Sequence, residues 1–366
     1  MIIGLEHEYE IQSRGRQLDA RELLPELDLT GRRLDPGDPH AIRLGWGGVI
    51  TTDGREIEVA TPPLALRPGA IDEALNFAAI GRTQVVDALV RTIGDGFQLT
   101  GFSTHISVSV PDEIVVEVGR MVLRHFAPAL MLLLDAATSP GLLVRPRHGR
   151  LEIGGEYADG DPLAAAMLVA IGATLACCRA RRGGRPLPPA LRVTIAPAGQ
   201  RFGWYVDRSA FGGDLYAEGV RTLLHPMRGR AMTAADHLRR SVAIAHNELV
   251  DHLDDGDLVV LDHIDPTSLP RTTVGPVDLR RPRPPAPSVH GEVLDDIVRP
   301  GFVARPVVAT WDLVAFEFTG AGARTYAKVP ADRLAGYLDD LRKGRLDDQV
   351  VTHLSRGAVR PASSRH

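Results

Sequence analysis

Apolar and polar residues along the chain switch repeatedly between a period of two and a helical period. Ile2, Ile3 and Leu5 lead into Glu6, Glu8 and Glu10 interleaved with His7, Tyr9 and Ile11, an alternation that predicts a strand. Residues 15–45, with their Gly, Pro and Asp, predict a long excursion. Residues 47–60 predict two strands around the turn Thr52-Asp53-Gly54-Arg55. Ile71, Leu75, Phe77, Ala78, Val85, Val86, Leu89 and Val90 recur at helical spacing and predict a helix over 68–93. Thr104, Ile106, Val108 and Val110 alternate with His105, Ser107 and Ser109, the pattern of a strand over 102–111. Apolar helices are expected over 115–137 and 162–181, with Arg145, Arg147 and Arg150 between them. Further on, the pattern predicts strands with turns over 191–216, an amphipathic helix over 233–253, a strand over 308–318 and a helix over 330–342.

Strands and helices mix without a regular βαβ rhythm. That favours an α+β fold: a curved, mostly antiparallel sheet with helices packed on one face. The expected organisation is a catalytic-type domain over 1–268 and a Pro/Arg-rich loop or linker over 269–290, containing Arg281-Pro282-Arg283-Pro284-Pro285. A C-terminal α/β segment over 291–354 completes or flanks the first domain, and a disordered tail follows over 355–366. No internal repeat is visible.

Composition narrows the function classes. The 366 residues are 44% hydrophobic and 24% charged, ample for a packed core, which excludes disordered and collagen-like classes. A net charge of −4 supplies no global basic field, so neither nucleic acid nor a membrane is an expected partner. All but two of the 42 basic residues are arginine, the exceptions being Lys328 and Lys343. No G-x-x-x-x-G-K-[ST] exists, which excludes a P-loop nucleotide site. The adjacent Cys177 and Cys178 imply neither a disulfide framework nor a thiolate metal site. The N-terminus shows no secretory pattern, and the apolar run over 163–178 is short for a membrane span, so a buried core helix and a cytoplasmic location are expected.

Four groups of residues carry candidate chemistry. Glu6, Glu8 and Glu10 project to one side of their strand, and carboxylates crowded on one buried face repel unless cations neutralise them. Glu56 and Glu58 repeat that spacing, with Asp53 at the preceding turn, so two such strands side by side would present hard oxygen ligands suited to Mg²⁺ or Mn²⁺. His105 shares its strand face with the small polar residues Ser107 and Ser109. Arg150 and Glu152 share another, with Arg145 and Arg147 just upstream, where they could reach a phosphate and a metal respectively. Taken singly, each group also fits a solvated strand edge, a structural histidine or a surface ion-pair patch.

The order of these motifs resembles the carboxylate–amine ligase superfamily of glutamine synthetase, glutamate–cysteine ligase and the Pup ligase/deamidase pair. The resemblance rests on Gly4-Leu5-Glu6-His7-Glu8, Glu58-Val59-Ala60-Thr61-Pro62, Gly101 to His105, Arg150-Leu151-Glu152 and Asp159-Gly160-Asp161-Pro162-Leu163. It covers about residues 1–180. It implies a glutamine synthetase catalytic-domain-like fold, with ATP and Mg²⁺ or Mn²⁺ as cofactors. Glu6, His105 and Glu152 would share one metal, and Glu8 and Glu58 another, with Glu56 as a further ligand. Arg145, Arg150 and Ser107 would contact ATP. Asp53 would be the candidate base, with Arg150 the second catalytic residue.

The departures from the family pattern redirect the substrate expectation. Ser107 stands where synthetases carry a second histidine, and Gly154 where they carry an arginine for the carboxylate of free glutamate. The first motif begins at residue 4, leaving no room for the N-terminal β-grasp domain. Free glutamate is therefore an unexpected substrate, and the space at Gly154 would suit a bulkier acid or a peptide C-terminus. The implied activity is ATP-dependent amide or peptide bond formation through an acyl phosphate, with small-molecule or peptide carboxylates and amines as partners and homo-oligomer formation open. An amide hydrolase, a guanidino phosphotransferase and a catalytically inactive binding protein are the alternatives on the same fold.

Overall fold

The structure is a computed structural model that describes residues 1–183, 187–197, 203–274, 277, 282–283 and 288–357. Among these, twelve strands form one sheet, antiparallel at every pairing. They are β1 (Ile2–Ser13), β2 (Arg16–Leu18), β3 (Gly31–Arg32), β4 (Ile42–Leu44), β5 (Val49–Asp53), β6 (Glu56–Ala60), β7 (Leu64–Ala65), β8 (Phe97–Ser109), β9 (Gly141–Arg147), β10 (Arg150–Glu156), β11 (Ala196–Pro197) and β12 (Trp204–Asp207). Their order is β11-β12-β9-β10-β8-β1-β6-β5-β4-β3, and β2 and β7 also pair with β1. The architecture is α+β, as the alternation of periods predicts.

Period two gives each central strand two chemically different faces. On β1, Ile3, Leu5, Tyr9 and Ile11 are buried with His7 on one side, and Glu6, Glu8 and Glu10 lie on the other. Three long helices cover the apolar side: α2 (Ala70–Ile93) against β1 and β6, α3 (Asp112–Leu134) against β9 and β10, and α4 (Gly160–Arg181) against β8. α4 is apolar all round because it packs between α3, α2 and α6 (Ala234–Leu249). It has the length and hydropathy to cross a membrane, but 78% of that stretch is buried in the protein, as a core helix requires.

A polar network braces β1 from behind. Arg82 of α2 donates to Tyr157 Oη at 3.1 Å and to Asp159 Oδ2 at 2.7 Å, and His7 Nδ1 lies 3.1 Å from Tyr9 Oη. Burial lowers the His7 imidazole to about 4, so this strand carries a neutral ring on its helix side.

A two-stranded sheet of β13 (Leu223–Leu224) and β14 (Met232–Thr233) precedes α6, and after α7 (Asp255–Asp262) comes a four-stranded antiparallel sheet of β15 (Ile297–Arg299), β16 (Phe302–Ala309), β17 (Leu313–Gly320) and β18 (Ala323–Pro330). Phe302, Phe316 and Phe318 pack there with Leu334, Leu338 and Leu341 of α8 (Leu334–Arg342), and α9 (Asp347–Gly357) closes that core with Val350 and Leu354.

Several sequence expectations need correction. The expected single strand over 308–318 is two strands joined by a turn at 310–312, because Thr310, Trp311 and Asp312 break the apolar run. Residues 355–357, expected in the tail, belong to α9; residues 358–366 lie outside the described residues. Among its described residues, the 191–216 stretch holds the two short strands β11 and β12, as expected, but it ends in the helical turn α5 (Leu215–Glu218) held by the Asp214 cap. Much of the Pro/Arg loop, at 275–276, 278–281 and 284–287, also lies outside the described residues. Arg271 within it is no solvated cation, because its guanidinium donates to the Tyr157 carbonyl at 2.9 Å and the Leu134 carbonyl at 2.5 Å.

Removing Arg82 takes away the cation that the half-buried Asp159 and the Tyr157 hydroxyl share, and leaves Asp159 to the Tyr157 hydroxyl and the Gly160 amide. Arg82→Ala is expected to cost about 3 kcal/mol or more, read as a lower urea midpoint. An unchanged midpoint would show that the network does not brace β1.

Candidate active site

Strand register builds the site. β8 lies between β1 and β10 and is antiparallel to both, so facing residues form rungs across the sheet. Gly4, Ser107 and Glu152 make one rung, continued by Arg145 on β9. Glu6, His105 and Gly154 make the next. Glu8, Ser103 and Glu156 make the third, extended on the other side by Glu58 of β6 and Thr51 of β5. Residues two apart share a face, so the acidic and imidazole side chains of all three rungs project away from the helices. Small residues alternate with them and leave room.

Two groups of donor atoms result. One atom each from Glu6, His105 and Glu152 lie within 4.8 Å of one another, and so do single atoms of Glu8, Asp53 and Glu58. His105 Nδ1 stands between the groups, 3.6 Å from Glu6 Oε2 and 3.6 Å from Glu8 Oε1. Glu8, His105 and Glu152 are buried. Glu56 joins neither group: at the hairpin turn its carboxylate accepts from Gln17 Nε2 at 3.2 Å and from the Arg55 amide at 3.0 Å. Asp53 takes the position the sequence reading assigned to Glu56.

Three arginines line the same face. Arg145, itself buried, is ion-paired with Glu152, and Arg147 Nε donates to Glu152 Oε2 at 3.2 Å. Arg150 Nη2 lies 3.7 Å from Glu6 Oε1, and its guanidinium sits 5.1 Å over the ring of Trp311. They border a cavity of about 760 Å³ closed on one side by Trp311 and Asp312 and on another by Asp35 and Asp38.

Mutual fields polarise the cluster. Burial works to raise the Glu6 carboxyl, but the His105 hydrogen bond and the Arg150 and Arg145 charges prevail and hold it down to about 2. Burial disfavours the His105 cation, yet Glu6, Glu152 and Glu8 together lift that imidazole above its ordinary value. Glu58 is the outlier: burial first, then the charges of Glu6, Glu8, Asp53 and Glu152, push its carboxyl well above the usual range. A donor set of five carboxylates and one imidazole fits hard divalent cations, and a bound cation would relieve the repulsion concentrated on Glu58.

Two expectations fail on geometry. Ser107 is fully buried, its Oγ making no hydrogen bond, on the rung where Trp311 packs so closely over Gly4 that a Cβ there would overlap the indole. It therefore offers no surface to a nucleotide. The side-chain position at Gly154 is not open either, because a Cβ there would lie 2.6 Å from His105 Cδ2, although the glycine backbone borders a cavity of about 440 Å³. The missing side chain makes room for the imidazole.

Sequence reasoning missed Trp311, Asp312, Asp35 and Asp38. The Trp-Asp break in the apolar run over 308–318 was the available signal for the first two. Nothing in the local pattern marks the others, which the excursion carries to the site by folding; there Asp38 Oδ2 accepts from Thr51 Oγ1 at 2.5 Å.

No family model matches the chain, and no curated protein matches it. Among solved structures, a similar chain comes from the crystal structure of the complex between prokaryotic ubiquitin-like protein Pup and its ligase PafA. The match has 15% identity and a TM-score of 0.39 and covers 71% of this chain. This chain spans only about 62% of the length of the chain it matches. The likeness is distant.

The charge crowding has a pH signature. A carboxyl whose folded-state pKa is raised contributes its stability below the unfolded value, about 4.5 here, and loses it as pH rises through the folded value. In chelator, the wild type is expected to lose melting temperature between pH 5 and pH 8, and Glu58→Gln to flatten that loss and melt higher at pH 8. Identical profiles would mean that Glu58 is not the strained member.

Proposed function

We propose that the protein is a divalent-metal- and ATP-dependent carboxylate–amine ligase. One observation carries this reading: two adjacent three-ligand groups, Glu6/His105/Glu152 and Glu8/Asp53/Glu58, share a sheet face with Arg145, Arg147 and Arg150 beside one open cavity. Divalent cations bound by those groups supply charge neutralisation for the phosphates of ATP. Arg150 and Arg147, at the cavity rim, hold phosphate oxygens by charge-assisted hydrogen bonds. Arg145, ion-paired with it, keeps Glu152 oriented. The substrate carboxylate attacks the γ-phosphorus and ADP leaves. The amine nitrogen then attacks the acyl carbon, phosphate leaves, and the proton lost by nitrogen passes to a carboxylate of this face. Asp53 serves as a ligand of the second group in this reading, which replaces its assignment as base.

The test is a screen of carboxylic acids with Mg²⁺–ATP and hydroxylamine, an amine that traps acyl phosphates as hydroxamates. Hydroxamate formed in step with ADP is the expected result. Phosphate transferred to a guanidine, or amide cleavage without ADP, would overturn the ligase reading in favour of the other activities. Glu8→Gln is expected to lower turnover about a hundredfold or more, equivalent to roughly 3 kcal/mol of lost charge stabilisation, with the fold intact by circular dichroism. An undiminished rate in Glu8→Gln would remove it from the metal site.

A further inference from the structure

The C-terminal sheet ends in an open edge. Its order is β15-β16-β17-β18, so β18 pairs with β17 and with no other strand among the described residues. The pairing runs in register from Leu313/Pro330 to Gly320/Ala323, with no bulge to turn the edge away. Alternate backbone N–H and C=O groups of β18 therefore point outward, and among the described residues no backbone group bonds to them. Such an edge is a template for one further strand.

The two faces of β18 differ. Ala323, Thr325 and Ala327 turn toward α8 and α9, and they are small where their neighbours on β17 are the buried Phe316 and Phe318. A cavity of about 180 Å³ is left there, floored by Phe318, Leu346 and Val350 and rimmed by Gln349 and His353 of α9. On the other face Arg324, Tyr326 and Lys328 stand exposed, Tyr326 at 57%, and β18 carries no carboxylate. Glu317 of β17 accepts from Tyr326 Oη at 2.7 Å and lies 3.3 Å from Arg324 Nη1. The Arg324 side chain, 67% exposed, still keeps donors toward solvent. Lys328, opposite Ala315, pairs with no carboxylate among the described residues.

We infer that this edge docks an extended acidic segment of a partner protein, which adds a fifth strand beyond β18. Backbone hydrogen bonds hold such a strand and its alternate side chains select it. A residue opposite Thr325 or Ala327 lowers an apolar side chain into the cavity. Residues opposite Arg324 and Lys328 set carboxylates against the two cations. The pattern acid–apolar–X–apolar–acid meets these positions and reads the same in both strand directions. A second copy of β18 fits worse, because antiparallel pairing about Tyr326 brings Arg324 of one copy opposite Lys328 of the other. The edge leads to the candidate site. Its last residue, Pro330, pairs with Leu313, and the next amide, Ala331, donates to the Asp312 carbonyl at 2.8 Å, in the turn that walls the arginine-lined cavity. A partner docked here is held on the unit that forms that wall. Neither the docking nor its test depends on the ligase reading.

The test titrates three fluorescein-labelled peptides into the full chain and reads anisotropy. The first is Gly-Glu-Leu-Thr-Val-Glu-Gly, the second has lysine in place of both glutamates, and the third is the first N-methylated along its backbone. The glutamate peptide is expected to bind saturably, the lysine peptide about tenfold more weakly, and the N-methylated peptide not at all. Lys328→Glu, at an exposed position, is expected to weaken the glutamate peptide about tenfold and to strengthen the lysine peptide. Thr325→Phe, which fills the cavity from the strand side, is expected to weaken both, and Lys328→Glu keeps the proposal testable should that variant not fold. Absence of saturable binding, equal affinity for the N-methylated peptide, or affinity indifferent to Lys328→Glu would overturn it. A dimer that takes up the peptide only after dilution to monomer would give the edge to a second copy and overturn it as well.

Discussion

Mutual repulsion among carboxylates on one sheet face is the constraint to which the rest of this protein answers. Glu6 and Glu152 share one close group with His105, Glu8, Asp53 and Glu58 form a second, and the His105 ring lies 3.6 Å from both Glu6 and Glu8. Charged groups so placed are strongly disfavoured without compensation. The compensation is asymmetric. Glu6 and Glu152 are served by Arg145, Arg147, Arg150 and His105, whereas burial and the charges of Glu6, Glu8, Asp53 and Glu152 drive Glu58 toward its protonated form. A cation bound on this face would relieve that repulsion.

The scaffold supplies the rigidity this arrangement needs. The central strands are clamped on their other face by α2, α3 and α4, and β1 is braced by the Arg82–Tyr157–Asp159 network. The N-terminal elements close the sheet face only in part, through Asp35 and Asp38. The hairpin turn at 310–312, more than 150 residues beyond β10 in sequence, reaches back so that Trp311 covers Gly4 and stacks with Arg150. Arg43 fastens that hairpin, donating to the carbonyls of Gly47 at 2.7 Å and Ala309 at 3.1 Å. His148 extends the contact, with its ring nitrogens 2.5 Å from Asp112 and 3.7 Å from Asp312. One wall of the arginine-lined cavity therefore belongs to the C-terminal unit.

Much of this was legible before any coordinates. Strand periodicity places Glu6 and Glu8 together on β1, and Glu58 with Glu56 on β6, because successive strand side chains point to opposite faces and no tertiary contact can reverse that. The helix expected over 68–93 follows from apolar residues recurring at helical spacing, and those expected over 115–137 and 162–181 follow from long apolar runs; they are found over 70–93, 112–134 and 160–181. Composition excluded a P-loop before any fold was considered. Where local pattern was interrupted by only two or three polar residues, as at Thr310-Trp311-Asp312, one strand was read in place of two, and the most distant contributor to the site was lost with it.

What remained undetermined depended on pairing. Sequence spacing settles which residues share a strand face, but it cannot state which strands are neighbours or in what register. Placing His105 opposite Glu6, and Glu8 opposite Glu58, is a property of three strands drawn from residues 2 to 109. The same register sets Asp53, rather than Glu56, beside Glu8, since a hairpin turn can aim one of its two flanking carboxylates inward while the other bonds locally to Gln17 and Arg55. It also decides the meaning of Gly154, which looks like open space in the sequence and in three dimensions is the place taken by a histidine ring. The amino-acid sequence by itself determined the faces and their charge, because strand and helix periods are local. Only the tertiary structure decided which charges meet, because long-range strand pairing brings them together.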